Sequence, residues 1–347
     1  MTPPSSSSSR PRLADLGVPS GAFARGPANA ITDVPGVRVG HATLHGDGLH
    51  TGVTAIVPDA LTAERRSLPA NLSVGNGYGK LVGATQLREL GALETPILLT
   101  STLSVFRVAD ALLGHLLATP AHARTTTLNP VVGETNDGFL SDIRRRAVGE
   151  EQVTAALAAA APGAVAEGAV GAGAGTVALG YKGGIGTASR LVDVAGRACT
   201  VGVLVQTNFS GTLRIAGVPL PAEELLADEP AQPVGNSCMI VVATDAPVDG
   251  RQLGRVANRA VFAMRGVGAD YAQGSGDYAI AFSVHEQHGP AADDDLSPLF
   301  AATMDAVEEA LINSVLAAET TVGPEGRTAH GVPIDRVRER LARAGAI

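Results

Sequence analysis

Gly235-Asn236-Ser237-Cys238-Met239-Ile240-Val241-Val242-Ala243-Thr244-Asp245-Ala246-Pro247 is the stretch whose reading decides the fold. From Cys238 the run is almost wholly apolar, and it stops at Asp245 and Pro247, the pattern of a strand buried on both faces. Upstream, residues 220–234 are acidic and proline-rich and read as a mobile connection. Gly235-Asn236-Ser237 is the joint between the two. Such a triplet reads as a plain turn. It also reads as a site with chemistry. If the Asn236–Ser237 bond were cut, Ser237 would carry both a hydroxyl and a free α-amine. An α-amine titrates near about 7.7–8.0, so it can act as base toward its own hydroxyl.

Outward from this joint, strand and helix signals are mixed along the whole chain. Residues 199–207 read as a strand that turns at Asn208-Phe209-Ser210-Gly211, and residues 277–284 read as another. Residues 249–264 and 299–318 carry helical spacing, and 334–344 form a last charged helix. Toward the N-terminus, 52–58, 96–99 and the run from Val131 read as strands, and 31–39 is β-rich around Pro35-Gly36. Residues 80–93, 105–118 and 153–161 read as helices. The eight glycines of 168–186 read as loops around one strand. This mixture places the chain in the α/β or α+β class.

Composition excludes several functions. The chain has 347 residues and a formal net charge of -8, with 3% aromatic residues. An acidic, aromatic-poor chain lacks the basic footprint and stacking platform of a nucleic-acid binder. No run approaches 18 apolar residues, so no membrane span is expected. Two cysteines cannot staple a chain of this length. Cys199 and Cys238 sit in apolar surroundings and read as buried thiols, which fits a reducing, cytoplasmic location. The start, Met1-Thr2-Pro3-Pro4 followed by five serines, has no apolar core of a secretory signal and reads as a disordered tail over 1–27. Only 17% of residues are charged, which suggests surface hidden in an oligomer.

Familiar motifs mostly fail. Gly75-Asn76-Gly77-Tyr78-Gly79-Lys80 has the wrong spacing for a phosphate loop, and Leu81 stands where a hydroxyl would meet magnesium. The glycines of 171–175 never complete a dinucleotide fingerprint and read as close backbone packing. There is no HExxH and no GxSxG. His285-Glu286-Gln287-His288 reads as a polar strand end, and His41, His45 and His50 as loop histidines around Asp47. No metal and no cofactor is expected.

The stretch from Gly235 to Pro247 resembles the self-cleavage site of the DmpA/BapA family, peptidase family S58, the L-aminopeptidase/D-esterases and β-peptidyl aminopeptidases. Further stretches agree, in the family's order. They are Ile31-Thr32-Asp33-Val34-Pro35-Gly36-Val37 with Val39-Gly40-His41, Gly52-Val53-Thr54, and Asn76-Gly77-Tyr78-Gly79-Lys80. Then come Val132-Gly133-Glu134-Thr135-Asn136-Asp137, Lys182-Gly183-Gly184-Ile185-Gly186-Thr187-Ala188-Ser189-Arg190, Gly274-Ser275-Gly276-Asp277 and Leu311-Ile312-Asn313-Ser314. The likeness spans about residues 28–343.

The resemblance implies a single catalytic domain over 28–347, a four-layer αββα sandwich similar to Ntn hydrolases but with different connectivity. It implies one inactive chain that cuts itself between Asn236 and Ser237 into α (1–236) and β (237–347) parts. It also implies a tetramer of αβ units acting on a short peptide, amide or ester. Ser237 would be the nucleophile and Asn208 an oxyanion donor, with Ser275 and Asp277 orienting Ser237. The family often has Glu where Asp277 stands, so reach here is one methylene shorter. Glu134 is the partner expected for a substrate ammonium. Phe139 falls near a position where relatives can carry a tyrosine, and a Phe cannot donate a hydrogen bond. The 171–175 loop, with Gly173 at its centre, is expected to let backbone approach the substrate. Ornithine acetyltransferases and nylon-oligomer hydrolases share the architecture and are the alternatives, but both typically use Thr as nucleophile.

Overall fold

The computed structural model describes residues 10–230, 235–286 and 289–347. In chain order the main strands are β1 (Val37–Gly46), β2 (Leu49–Pro58), β3 (Leu68–Gly77), β4 (Ala92–Leu93), β5 (Ile97–Ser101), β6 (Val131–Thr135), β7 (Ile185–Val194), β8 (Arg197–Asn208), β9 (Ser237–Thr244) and β10 (Gly276–Ser283). The main helices are α1 (Ala84–Glu89), α2 (Val105–Leu117), α3 (Glu150–Ala158), α4 (Gly250–Gly266), α5 (Ser297–Leu316) and α6 (Ile334–Arg343).

One sheet has the order β1-β2-β5-β6 and the other β4-β3-β10-β9-β8-β7. Two of the pairings are parallel, β5 with β6 and β9 with β10. Parallel neighbours need a crossover, and α2 and α4 supply it. The layers follow from where the apolar residues go. Val105, Val108 and Leu112 of α2 and Val153 and Ala156 of α3 pack on Val53, Ala55, Leu98 and Val132 of the first sheet. Val256, Ala260, Ala306 and Leu311 of α4 and α5 pack on Val203, Ile240 and Ala279 of the second. Ile56, Leu99, Leu204, Met239, Val241 and Ile280 fill the space between the sheets. The result is the αββα sandwich. β9 lies inside it with all eight residues buried, which is why its sequence shows no polar alternation.

Three expectations are corrected. The tail over 1–27 is ordered from residue 10: Leu13, Leu16 and Val18 are buried in the largest core cluster. Arg12 donates to Asn29 O and Thr187 O and pairs with Glu167. Residues 1–9 lie outside the described part. The connection 220–234 is packed at its start, where Leu220, Ala222 and Leu225 are buried. Residues 231–234 lie outside the described part. The helix expected over 80–93 shrinks to α1, because Gly83 and Gly91 both take positive φ, +86 and +63. Strands β3 and β7 carried no clear reading in the sequence, and the histidine loop at 41–50 is a hairpin turning at Asp47.

Arg190 and Glu309 form a fully buried ion pair, 2.6 Å apart. Arg25, Asn29 and Ser20 also bond Glu309, so this pair ties the N-terminal segment to α5 and β7.

Candidate active site

Register assembles the site. Ser237, first residue of β9, pairs antiparallel with Asn208, last residue of β8. It pairs parallel with Gly276, first residue of β10. Three strand ends therefore meet at one point. Ser237 is buried, with 4% of its surface exposed. Its Oγ lies 2.5 Å from the Asn236 carbonyl oxygen, and the Gly276 N–H donates to that same oxygen over 3.2 Å. Gly235 must be glycine, since a Cβ there would stand 2.1 Å from Val177 O.

Asn208 is buried, and its Oδ1 accepts a bond from the Val177 N–H, 3.0 Å away. That contact identifies the oxygen and leaves the amide NH₂ for another acceptor. Alternation along β8 and β9 puts Asn208 and Ser237 on the face toward the first sheet, with Met239 and Leu204.

Ser275 Oγ donates to Asp277 Oδ1 over 2.8 Å. Asp277 is fully buried, and its Oδ2 has no hydrogen-bond partner among the described residues. Burial lifts its carboxyl to about 6, with the Ser275 hydroxyl pulling down and Asp270 adding to the lift. Asp277 pairs with Cys238 and shares its helix-side face with Ala279. By alternation it lies on the opposite face of the sheet from the Ser237 side chain. Ser275, which it holds, precedes Gly276, the ladder partner of Ser237.

Glu134 comes from the other sheet. β6 approaches β9 closely, since a Cβ on Gly133 would meet Met239 Cε at 2.4 Å. The buried Glu134 carboxylate accepts from Lys80 N–H at 2.9 Å and from Thr102 Oγ1, and Lys80 Nζ lies 3.8 Å away. Burial raises the Tyr278 hydroxyl, a hydrogen bond with the Gly79 backbone opposes the rise, and Glu134 and Asp277 add to it.

Two further residues singled out from the sequence lie in close packing. Gly173 packs against β7, where a Cβ would stand 2.5 Å from Ile185 N. Phe139 packs with Leu140, Val177 and Ala329 under the Arg327 guanidinium, 5.8 Å from the ring centre.

Lys80, Thr102, Val177 and Gly276 were missed as site residues. The signal for the first was available in the Asn76–Lys80 stretch, whose backbone spans the site through Tyr78 N–H to Ser275 O and Lys80 N–H to Glu134. Among the described residues no group of three or more His, Cys, Asp or Glu could hold a metal. Gln287 and His288 of the histidine stretch lie outside them. His41 is bonded to Thr54 and driven down to about 4 by burial, with the Ala166 backbone opposing, so it is neutral in place.

Residues 29–329 match peptidase family S58. The β-peptidyl aminopeptidase BapA of Sphingosinicella microcystinivorans is 38% identical, over 95% of this chain and 92% of its own. The PH0078 protein of Pyrococcus horikoshii superposes with a TM-score of 0.89 at 42% identity, over 96% of this chain and all of its own. The L-aminopeptidase D-Ala-esterase/amidase of Ochrobactrum anthropi, described as a prototype serine aminopeptidase with a variant Ntn hydrolase fold, superposes with a TM-score of 0.87 at 32% identity. It covers 97% of this chain and 99% of its own. The chain belongs to peptidase family S58 and is a serine-type aminopeptidase with an Ntn-hydrolase-like fold.

Proposed function

We propose that this protein cuts its own Asn236–Ser237 bond and then uses the freed Ser237 to release N-terminal residues from short peptides, amides or esters. The observation that carries this reading is the Asn236 carbonyl, flanked by Ser237 Oγ at 2.5 Å and the Gly276 N–H at 3.2 Å. In self-cleavage Oγ bonds to the Asn236 carbonyl carbon, and Gly276 N–H stabilises the oxyanion. The C–N bond breaks, the Ser237 nitrogen takes the hydroxyl proton, and water hydrolyses the resulting ester.

In turnover the new α-amine takes the Oγ proton as Oγ attacks the substrate carbonyl. The Asn208 NH₂ donates to the developing oxyanion. The protonated amine then returns the proton to the leaving group, and water completes the cycle. Glu134 pairs with the substrate ammonium, and Asp277 orients Ser275 beside the nucleophile. Peptides with an N-terminal β-amino acid are the first substrates to test, since a relative of this length and identity is a β-peptidyl aminopeptidase. We take the working form to be a cytoplasmic tetramer of αβ units. Exposed Tyr78, Leu90, Phe106 and Phe262 support an oligomer, and the free buried thiols support a reducing compartment.

Intact mass tests processing, and a p-nitroanilide panel of L-Ala, D-Ala and β-Ala tests specificity. Two fragments with an N-terminal Ser237 and turnover on the panel are expected. An active enzyme that stays one chain overturns the mechanism.

A further inference from the structure

Lys182 is a fully buried ammonium that the steps above do not use. Its Nζ donates to Gly173 O at 3.0 Å and to Gly183 O at 2.8 Å. Burying an ammonium is expensive, and two neutral carbonyls return only part of that cost. Burial accordingly pushes Lys182 down to about 7, with Asp137 opposing. Asp137, 1% exposed, faces Thr51 and Ser101 without reaching hydrogen-bond geometry among the described residues. Burial lifts its carboxyl to about 7. Both groups are costly to bury charged, and neither Asp137 oxygen has a hydrogen-bond partner among the described residues.

Their location gives the reason. Lys182 pairs with Val177 across a short antiparallel ladder. Val177 N–H is the donor that holds Asn208 Oδ1. Gly173, gripped by the ammonium, begins the same loop and also accepts from Thr176 Oγ1 at 3.1 Å. Gly183 N–H closes the loop onto Thr176 O at 3.0 Å. Asp137 backs this loop at Gly175, where an added Cβ would lie 2.8 Å from the Asp137 Cβ. It follows Glu134 by three residues on the segment leaving β6. Lys182 and Asp137 therefore both lie against the loop that aims Asn208.

We propose that Lys182 is a positioning residue for the oxyanion amide. Its Nζ, bonded to Gly173 O and Gly183 O, fixes residues 173–183 so that Val177 holds Asn208 with its NH₂ turned toward the reacting carbonyl. This rests on the reading of Asn208 as oxyanion donor. A group that acts through Asn208 affects the transition state and leaves ammonium binding at Glu134 alone.

The test is a double-mutant cycle on the processed enzyme with β-Ala p-nitroanilide. The variants are Lys182→Met, Asn208→Ala and the two combined. Lys182→Met with Asp137→Asn removes both charges at once, which keeps the interior neutral if the single variant does not fold. The expected result is a kcat about tenfold to hundredfold lower with KM within about twofold, and no further loss when Lys182→Met is added to Asn208→Ala. Losses that multiply, or wild-type kcat in the charge-free double variant, overturn the role of Lys182 and leave Asn208 in place. Full kcat in Asn208→Ala alone overturns the oxyanion assignment itself.

Discussion

The Gly276 N–H donates to the Asn236 carbonyl over 3.2 Å, so a preorganised donor already sits on the bond before Ser237. The Ser237 hydroxyl lies 2.5 Å from the same oxygen, so the proposed self-cleavage would find a donor in place for its oxyanion. Gly276 has no room for a side chain. A Cβ would stand 2.9 Å from Gly79 Cα and 3.0 Å from Tyr78 O. Gly276→Ala therefore forces the 76–80 stretch and β10 apart and moves the donor. Self-cleavage is expected to slow by about 10²-fold, the lower end of what losing one oxyanion donor costs. A gel time course of fresh protein checks it, and wild-type maturation in this variant removes Gly276 from the mechanism.

Ser237→Ala is expected to give a single uncut chain with no turnover, visible by intact mass. Cleavage in this variant would exclude the serine as nucleophile.

Glu134→Gln keeps the shape and the acceptor but removes the charge. A hydrogen bond to a charged group is worth about 1.5–3 kcal/mol, so KM for a free-amine substrate is expected to rise about tenfold or more. An N-acetylated ester should show no such rise. Equal losses on both substrates would assign Glu134 a structural role.

Asp277 is expected to set a pH limb. An ordinary Asp titrates near about 4, and burial lifts this one to about 6. The folded chain therefore binds the proton more tightly than the unfolded chain. The contribution of Asp277 to unfolding free energy falls as pH rises from about 4 to about 6, and is flat above. The charged form is the stronger acceptor for the Ser275 hydroxyl, so kcat is expected to rise with pH through about 6. Asp277→Asn should flatten that limb in a pH–rate profile, and a limb that survives belongs to another group.

Glu309→Ala strands the Arg190 guanidinium in the core. Breaking a buried pair this way costs about 3–5 kcal/mol. Urea melts should show that loss, while kcat per folded molecule stays unchanged, because the pair fastens the N-terminal segment and touches nothing in the site.

Much of the fold was legible because periodicity is a local signal. Residues 237–244, 105–117 and 250–266 carry unbroken or helical apolar patterns, and each forms the element its pattern specifies. Residues 41–46 misled and residues 68–77 gave no strand signal, because glycine, histidine, asparagine and proline interrupt the pattern while the ladder still pairs their backbone. The segment 10–27 looked like tail because its anchors, Arg12 and Arg25, find their carboxylates on Glu167 and Glu309, far along the chain.

The sequence by itself determined the class, most of the helices and strands and the nucleophile candidate, because apolar period, turn residues and the Gly-Asn-Ser joint are read from neighbours in the chain. It also named Asn208, Ser275, Asp277 and Glu134 through the family resemblance. Only the tertiary structure decided how they meet. The pairing of Ser237 with Asn208 and Gly276 is a matter of ladder register, and a slip of one residue would turn each side chain to the other face. The opposed faces of Ser237 and Asp277, the hold of Lys80 on Glu134, and the buried Lys182 behind Asn208 all come from contacts between residues distant in the chain, formed when the sheets stack and exclude water.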